Sequence, residues 1–298
     1  MKKISLFLYL FITFNLVHAQ NTNNEIPFRL TQYNNIVVPV ILNETDSVQL
    51  MFHTGSDYIS MIEKSLPKLK SMQINDTIQD VTSWAGNSDQ LMSKNNSVSL
   101  GNQHYKAIPI LIDKQSGYET DGKIGLKFFQ NKFIEIDFES NKLKVYDVLP
   151  NYAQSFGKLE SRYSNHTLYF NAFPIIDKDS IETEFMFHTG YSGAIVFSDE
   201  YVKNNHLLEK INPTGQTQFS DAAGNKIISK TGILEQLNLQ NQSLNTIPIS
   251  FFDSQIKIQR TNIFGGDLIK RFNWIFSPDF KTIYFKPNKH FHDSYFKL

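Results

Sequence analysis

The chain has 298 residues, with 29 Lys plus Arg against 29 Asp plus Glu, 41% hydrophobic residues and no Cys. The absence of Cys excludes disulfide scaffolds, cysteine-ligated zinc and thiol catalysis, and a zero net charge leaves no electrostatic footprint for nucleic acid. The length is enough to bury one large or two modest cores without metals or cross-links.

In chain order, the first segment reads as a leader. Lys2 and Lys3 precede an apolar run from Ile4 to Leu16, and Val17-His18-Ala19 places small residues where a signal peptidase reads. Cleavage is expected after Ala19, giving a secreted or periplasmic protein that begins at Gln20. The run is shorter than the ~20 apolar residues of a membrane span. No Cys follows it to carry a lipid, and no later stretch in the sequence reaches spanning length. Removing residues 1–19 takes away two Lys and no acid, so 27 basic side chains face 29 acidic ones in the mature chain.

The mature sequence reads as all-β. Ile36–Leu42, Val48–Phe52, Phe133–Phe138 and Leu143–Tyr146 are short, rich in Val, Ile, Phe and Tyr, and bounded by Asn, Asp, Ser and Gly. Thr167–Ile176, Glu184–Phe187, Trp274–Phe276 and Ile283–Phe285 are their counterparts further on, and 25 Phe with 13 Tyr suit a sheet-based core. Helical spacing is confined to Met61–Lys70 and Asp199–Lys210, with a single turn over Asp267–Arg271.

The chain repeats itself. Met51-Phe52-His53-Thr54-Gly55 recurs letter for letter as Met186-Phe187-His188-Thr189-Gly190, a shift of 135 residues that also carries Pro39 onto Pro174 and Ile41 onto Ile176. Ala85-Gly86-Asn87 is echoed by Ala223-Gly224-Asn225, and Ile124-Gly125 by Phe264-Gly265, in the same order. Two lobes follow, 20–150 and 151–298, with the boundary near Pro150-Asn151.

These residues resemble the aspartic peptidases, in both their bilobal pepsin-like and dimeric retroviral-like forms. In that family each lobe carries two apolar residues, then Asp-Thr-Gly or Asp-Ser-Gly, and later an apolar-apolar-Gly segment behind the catalytic loop. Here Asp121-Gly122-Lys123-Ile124-Gly125-Leu126 is similar to the family's Asp-Gly-Ile-hydrophobic-Gly-Leu, and Ile263 to Phe276 to the pepsin-like segment before the last strands. The resemblance implies two β-barrel-like lobes related by a pseudo-twofold, with the two motifs facing each other across a cleft. Thr54 and Thr189 match threonines that hydrogen-bond across the lobes, and Gly55 and Gly190 match glycines whose N–H groups point at the catalytic side chains. Trp84, Gly86 and the second-lobe Gly224 fall in two hairpin flaps over the cleft. With Ser56 and Tyr191, which follow the motifs, they are the candidate substrate contacts.

The family's catalytic Asp is His at both positions, His53 and His188. Two carboxylates sharing a proton perform the family's chemistry, and imidazole offers one acceptor when neutral and none when protonated. Three readings stay open. The chain is an inactive or non-canonical homologue binding an extended peptide; or it is a hydrolase whose pair holds Zn, with Asp57 or another carboxylate as third ligand and a water in the open position; or one neutral and one protonated His hydrolyse peptides with an optimum near neutrality. No cofactor is required by the first reading, and a monomer is expected. His104, His166 and His206 read as surface or ordinary core residues, and His290 and His292 as part of a solvated tail.

Overall fold

The computed structural model describes residues 24–83, 86–220, 226–251 and 260–297. The leader therefore lies outside the described residues, as do Trp84 and Gly224. Among the described residues no helix is long and apolar enough to cross a membrane.

Two closed barrels account for most of the chain. In the first, Ile36–Leu42, Asp46–His53, Gly122–Gly125, Ile59–Ile62, Gln103–Asp113 and Gly86–Leu100 follow one another around the wall, and Ile41↔Ser99 closes the ring. In the second, Thr167–Ile176, Thr183–His188, Asn262–Gly265, Ile195–Phe197, Gln242–Phe251 and Lys226–Leu239 do the same, closed by Phe173↔Asn238. In each barrel the strand ending in histidine pairs in parallel with the later Gly-containing strand, which pairs antiparallel with the strand after the motif. The topology repeats with the sequence.

A six-stranded antiparallel layer takes strands from both halves of the chain: Glu25–Pro27, Lys142–Tyr146, Phe133–Asp137, Phe272–Phe276, Thr282–Pro287 and Gly157–Ser164. The lobes join where Ile134↔Phe276 and Ile136↔Trp274 pair. Alternation aims one face of each strand inward: Val48, Leu50 and Phe52 of the first motif strand are wholly buried. Around Phe187 an aromatic cluster fills the second lobe, with Trp274 at 5.0 Å and Phe276 at 5.2 Å, both edge-on.

The strands read from composition are present, most of them extended at one or both ends, while the one expected over Phe133–Phe138 stops at Asp137. The helices differ. Residues 61 and 62 belong to strand Ile59–Ile62, whose Met61 and Ile62 pair with Ile112 and Asp113, and a 3₁₀ helix, Glu63–Lys68, follows. Pro67 inside it has no N–H to donate, so a regular α-helix does not form there. The Asp199–Lys210 stretch breaks into Asp199–Asn204, capped by Ser198 Oγ accepting from Tyr201 N–H at 3.2 Å, and Leu207–Lys210. His206, left-handed at φ 52°, separates them. The late turn is Gly266–Ile269. Sequence patterning also passes over the long hairpin strands Gly86–Leu100 and Lys226–Leu239, whose polar runs show no clean alternation.

Candidate active site at the lobe interface

The two motif strands, Asp46–His53 and Thr183–His188, end at the same level, and each chain then turns back in the same way. Ser56 N–H donates to His53 C=O and Tyr191 N–H to His188 C=O, both at 3.3 Å. Beneath these turns the threonines exchange bonds across the lobes. Thr54 N–H donates to Thr189 Oγ1 and Thr189 N–H to Thr54 Oγ1, both at 3.1 Å. Each hydroxyl then donates across the interface to a carbonyl, Thr54 Oγ1 to Phe187 and Thr189 Oγ1 to Phe52, both at 2.6 Å. Four bonds between groups that are nearly or wholly buried tie the loops into one rigid floor.

On that floor the two imidazoles touch edge to face, with ring centroids 4.7 Å apart and planes at 70°. Their closeness explains the paired glycines. A Cβ at Gly190 would lie 2.4 Å from His53 Cδ2 and Nε2, and one at Gly55 would lie 3.1 Å from His188 Cδ2. The second loop must be bare where the His53 ring rests, and a side chain at Gly55 would press on the His188 ring. Gly55 N–H donates to His53 Nδ1 at 3.2 Å, so a neutral His53 carries its proton on Nε2. His188 Nδ1 is buried and finds no hydrogen-bond partner among the described residues.

This setting disfavours protonation. Burial first, then the neighbouring His188 and the Lys123 ammonium, hold His53 well below the ordinary imidazole range. Burial, with a smaller contribution from Lys123, pushes His188 down to about 4. Both rings are neutral at pH 7, and the pair gains its first proton only in acid.

Sequence reasoning missed Lys123. Its Nζ lies 2.9 Å from Asp113 Oδ2, and both side chains are buried. Ser60 Oγ donates to the same oxygen at 2.5 Å, Gln90 Nε2 donates to Asp113 Oδ1, and the ammonium stands 4.8 Å over the Tyr58 ring. The signal was present in the sequence: in Asp121 to Leu126 a lysine occupies a position that is apolar in the family's segment.

Ser56 is 5% exposed, its Oγ accepting from Tyr58 N–H at 3.4 Å, and Tyr191 is 8% exposed against the backbone at Gly265. Gly86 pairs with Ser83 near the tip of the first hairpin, Asp76–Ser83 with Gly86–Leu100. A second hairpin, Gly215–Ser220 with Lys226–Leu239, occupies the corresponding place in the second lobe. Asp57 has partners of its own: its Oδ2 lies 2.9 Å from His166 Nδ1 of the other lobe and 3.9 Å from Lys127 Nζ. His166, read from sequence as an ordinary residue, is thus a cross-lobe contact. Among the described residues no three His, Cys, Asp or Glu side chains converge as a metal-ligand set.

No protein-family model and no curated protein matches the sequence. Among solved structures the chain is similar to the aspartic proteinase of Irpex lacteus, with a TM-score of 0.56 and 12% identity over 90% of this chain and 98% of that one. At that identity the likeness concerns the fold. The chain has the bilobal, two-barrel architecture of the pepsin-like aspartic peptidases.

Proposed function

We propose that the chain is an exported homologue of the aspartic peptidases that holds an extended peptide in the cleft between its lobes and does not cleave it by the family's carboxylate mechanism. Residues 1–19 act as the cleaved leader, and the two lobes 20–150 and 151–298 work as a monomer. One observation carries this reading: two neutral imidazoles in contact at 4.7 Å occupy the floor where that mechanism requires two carboxylates sharing a proton. A neutral pair has no anion to bind and activate a water at neutral pH. What supports peptide binding is the form of the cleft. Strands Asp76–Ser83 and Gly215–Ser220 lie at the ends of their sheets and offer backbone edges to which an extended chain can pair.

The test is a diverse peptide library incubated with mature protein from about pH 3 to about pH 9, with bound and cleaved peptides both read by mass spectrometry. Peptides retained intact by the wild type, and retained equally by the His53→Gln/His188→Gln double variant, are expected. Cleavage that disappears in the double variant overturns the binding-only reading.

The contact between the rings favours one second reading, hydrolysis in which a neutral imidazole serves as base and a protonated one as acid. Burial relocates its optimum. The state with one proton on the pair arises near pH 4, on the acid side of the neutral optimum that free imidazoles would give.

A further inference from the structure

The faces of the two motif strands that carry the histidines are built differently. Side chains alternate along a strand, so Met51 shares a face with His53, while Phe52 points into the barrel core. In the parallel pairing Gly125 stands beside His53 and Lys123 beside Met51. That puts Lys123 on the histidine face, one two-residue step or roughly 7 Å along the sheet. Ser60 comes next to Lys123 on the following strand. The same register in the second lobe puts Gly265 beside His188, Ile263 beside Met186 and Val196 beside Ile263. At one position the repeat therefore has Lys123 in the first lobe and Ile263 in the second.

Packing alone does not call for a lysine there. Replacing a buried ion pair with apolar side chains of similar volume is commonly neutral or stabilising, and Ile263 is the apolar solution in the same fold at the same register. The Lys123–Asp113 pair is also connected to the cleft. Gln90, which grips the second oxygen of Asp113, belongs to the return strand of the first hairpin, and both Gln90 and Tyr58 keep partial exposure. The Gln90 amide oxygen is buried and finds no hydrogen-bond donor among the described residues. Lys123 and Gln90 thus hold the two oxygens of one carboxylate, which anchors a cationic N–H donor and an amide with an unfilled C=O acceptor on the same side chain.

We infer that Lys123, Asp113 and Gln90 form a specificity pocket in the first-lobe half of the cleft that selects a carboxamide side chain, Asn or Gln, of the bound peptide. This rests on the peptide-binding reading above. The carboxamide oxygen accepts from Lys123 Nζ, and its NH₂ donates to Gln90 Oε1. A carboxylate in the same place would have nothing to donate to Gln90 and would be repelled by Asp113, and an apolar side chain would leave the Gln90 carbonyl without a donor. The charge of Lys123 is felt by both imidazoles, consistent with a pocket that adjoins them.

A positional-scanning library of extended peptides, equilibrated with mature protein near pH 7 and read by mass spectrometry of the bound fraction, tests this. Asn and Gln should be enriched about tenfold over Leu and Asp at one position. The Lys123→Met/Asp113→Leu double variant, with folding checked by circular dichroism, should lose that enrichment and gain Leu and Met there. Gln90→Leu leaves the ion pair in place and should reduce the carboxamide enrichment at least about threefold, which keeps the test decisive if the double variant does not fold. Bound peptides with no polar preference, or a preference unchanged in the variants, overturn the pocket and leave peptide binding standing. No bound peptide at all overturns both.

Discussion

The first and second lobes share an identical five-residue motif, an identical turn and reciprocal threonine bonds, yet one motif strand is flanked by Lys123 and the other by Ile263. Where a group must satisfy its own image across the pseudo-twofold, the repeat has not moved. Thr54 and Thr189 each supply what the other accepts, and Gly55 and Gly190 each clear space for the opposite ring. A change on one side would strand a buried partner on the other. One register step away no such reciprocity applies, and the two walls have diverged in charge. The floor is constrained by symmetry, and the walls are free to specialise.

The sharpest way to break this comparison is to make the two walls alike. Lys123→Met alone strands the Asp113 carboxylate, which is wholly enclosed with Ser60 and Gln90 as its remaining donors, and should cost about 3–5 kcal/mol in urea unfolding. Ile263→Met, the same new residue at the matching place, should cost less than about 1.5 kcal/mol. Equal losses would mean that the ion pair is not the distinguishing feature of the first wall.

The floor responds to pH. Both histidines protonate less readily in the folded chain than in the unfolded one, where the usual value near 6.5 holds. The unfolded state therefore binds more protons in the window between, and stability falls as pH is lowered from about 6.5 towards 4. For His188 alone the loss is on the order of 3 kcal/mol, and His53 adds to it over the same window and further below it. The His53→Gln/His188→Gln double variant should be flatter than the wild type across that window in chemical denaturation. Parallel curves would mean that the rings are hydrated.

Much of this floor was legible in the sequence because the constraint acts on residues adjacent in the chain. A motif repeated at a fixed shift states its own pairing, so the sequence alone sets His53, Thr54 and Gly55 against His188, Thr189 and Gly190. The barrel strands were legible through β-branched and aromatic runs. What escaped was fixed by contacts distant in sequence. Asp113 meets Lys123 across a loop, Gln90 reaches the same carboxylate from a hairpin, and His166 meets Asp57 from the other lobe. No periodicity encodes such meetings. The Met61–Lys70 helix failed for a related reason: strand pairing with Gln103–Asp113 claims its first residues, and Pro67 interrupts the rest.

The smallest effects concern the contacts each lobe sends to the other's motif loop. From the first lobe Asn34 donates to Ser192 C=O at 2.8 Å and accepts from Lys270 Nζ at 3.0 Å, nearly buried and at a left-handed φ of 59°. From the second lobe His166 reaches Asp57, which stands 135 residues before Ser192, but its side chain is 62% exposed. Solvent screens the second contact and not the first. Asn34→Ala should therefore cost about 2–3 kcal/mol, through two lost bonds and a backbone angle that alanine tolerates poorly. His166→Gln should cost less than about 1 kcal/mol. Measured side by side in urea, a large loss for His166→Gln would place the tie between the lobes in the exposed His166–Asp57 contact and not in the buried Asn34.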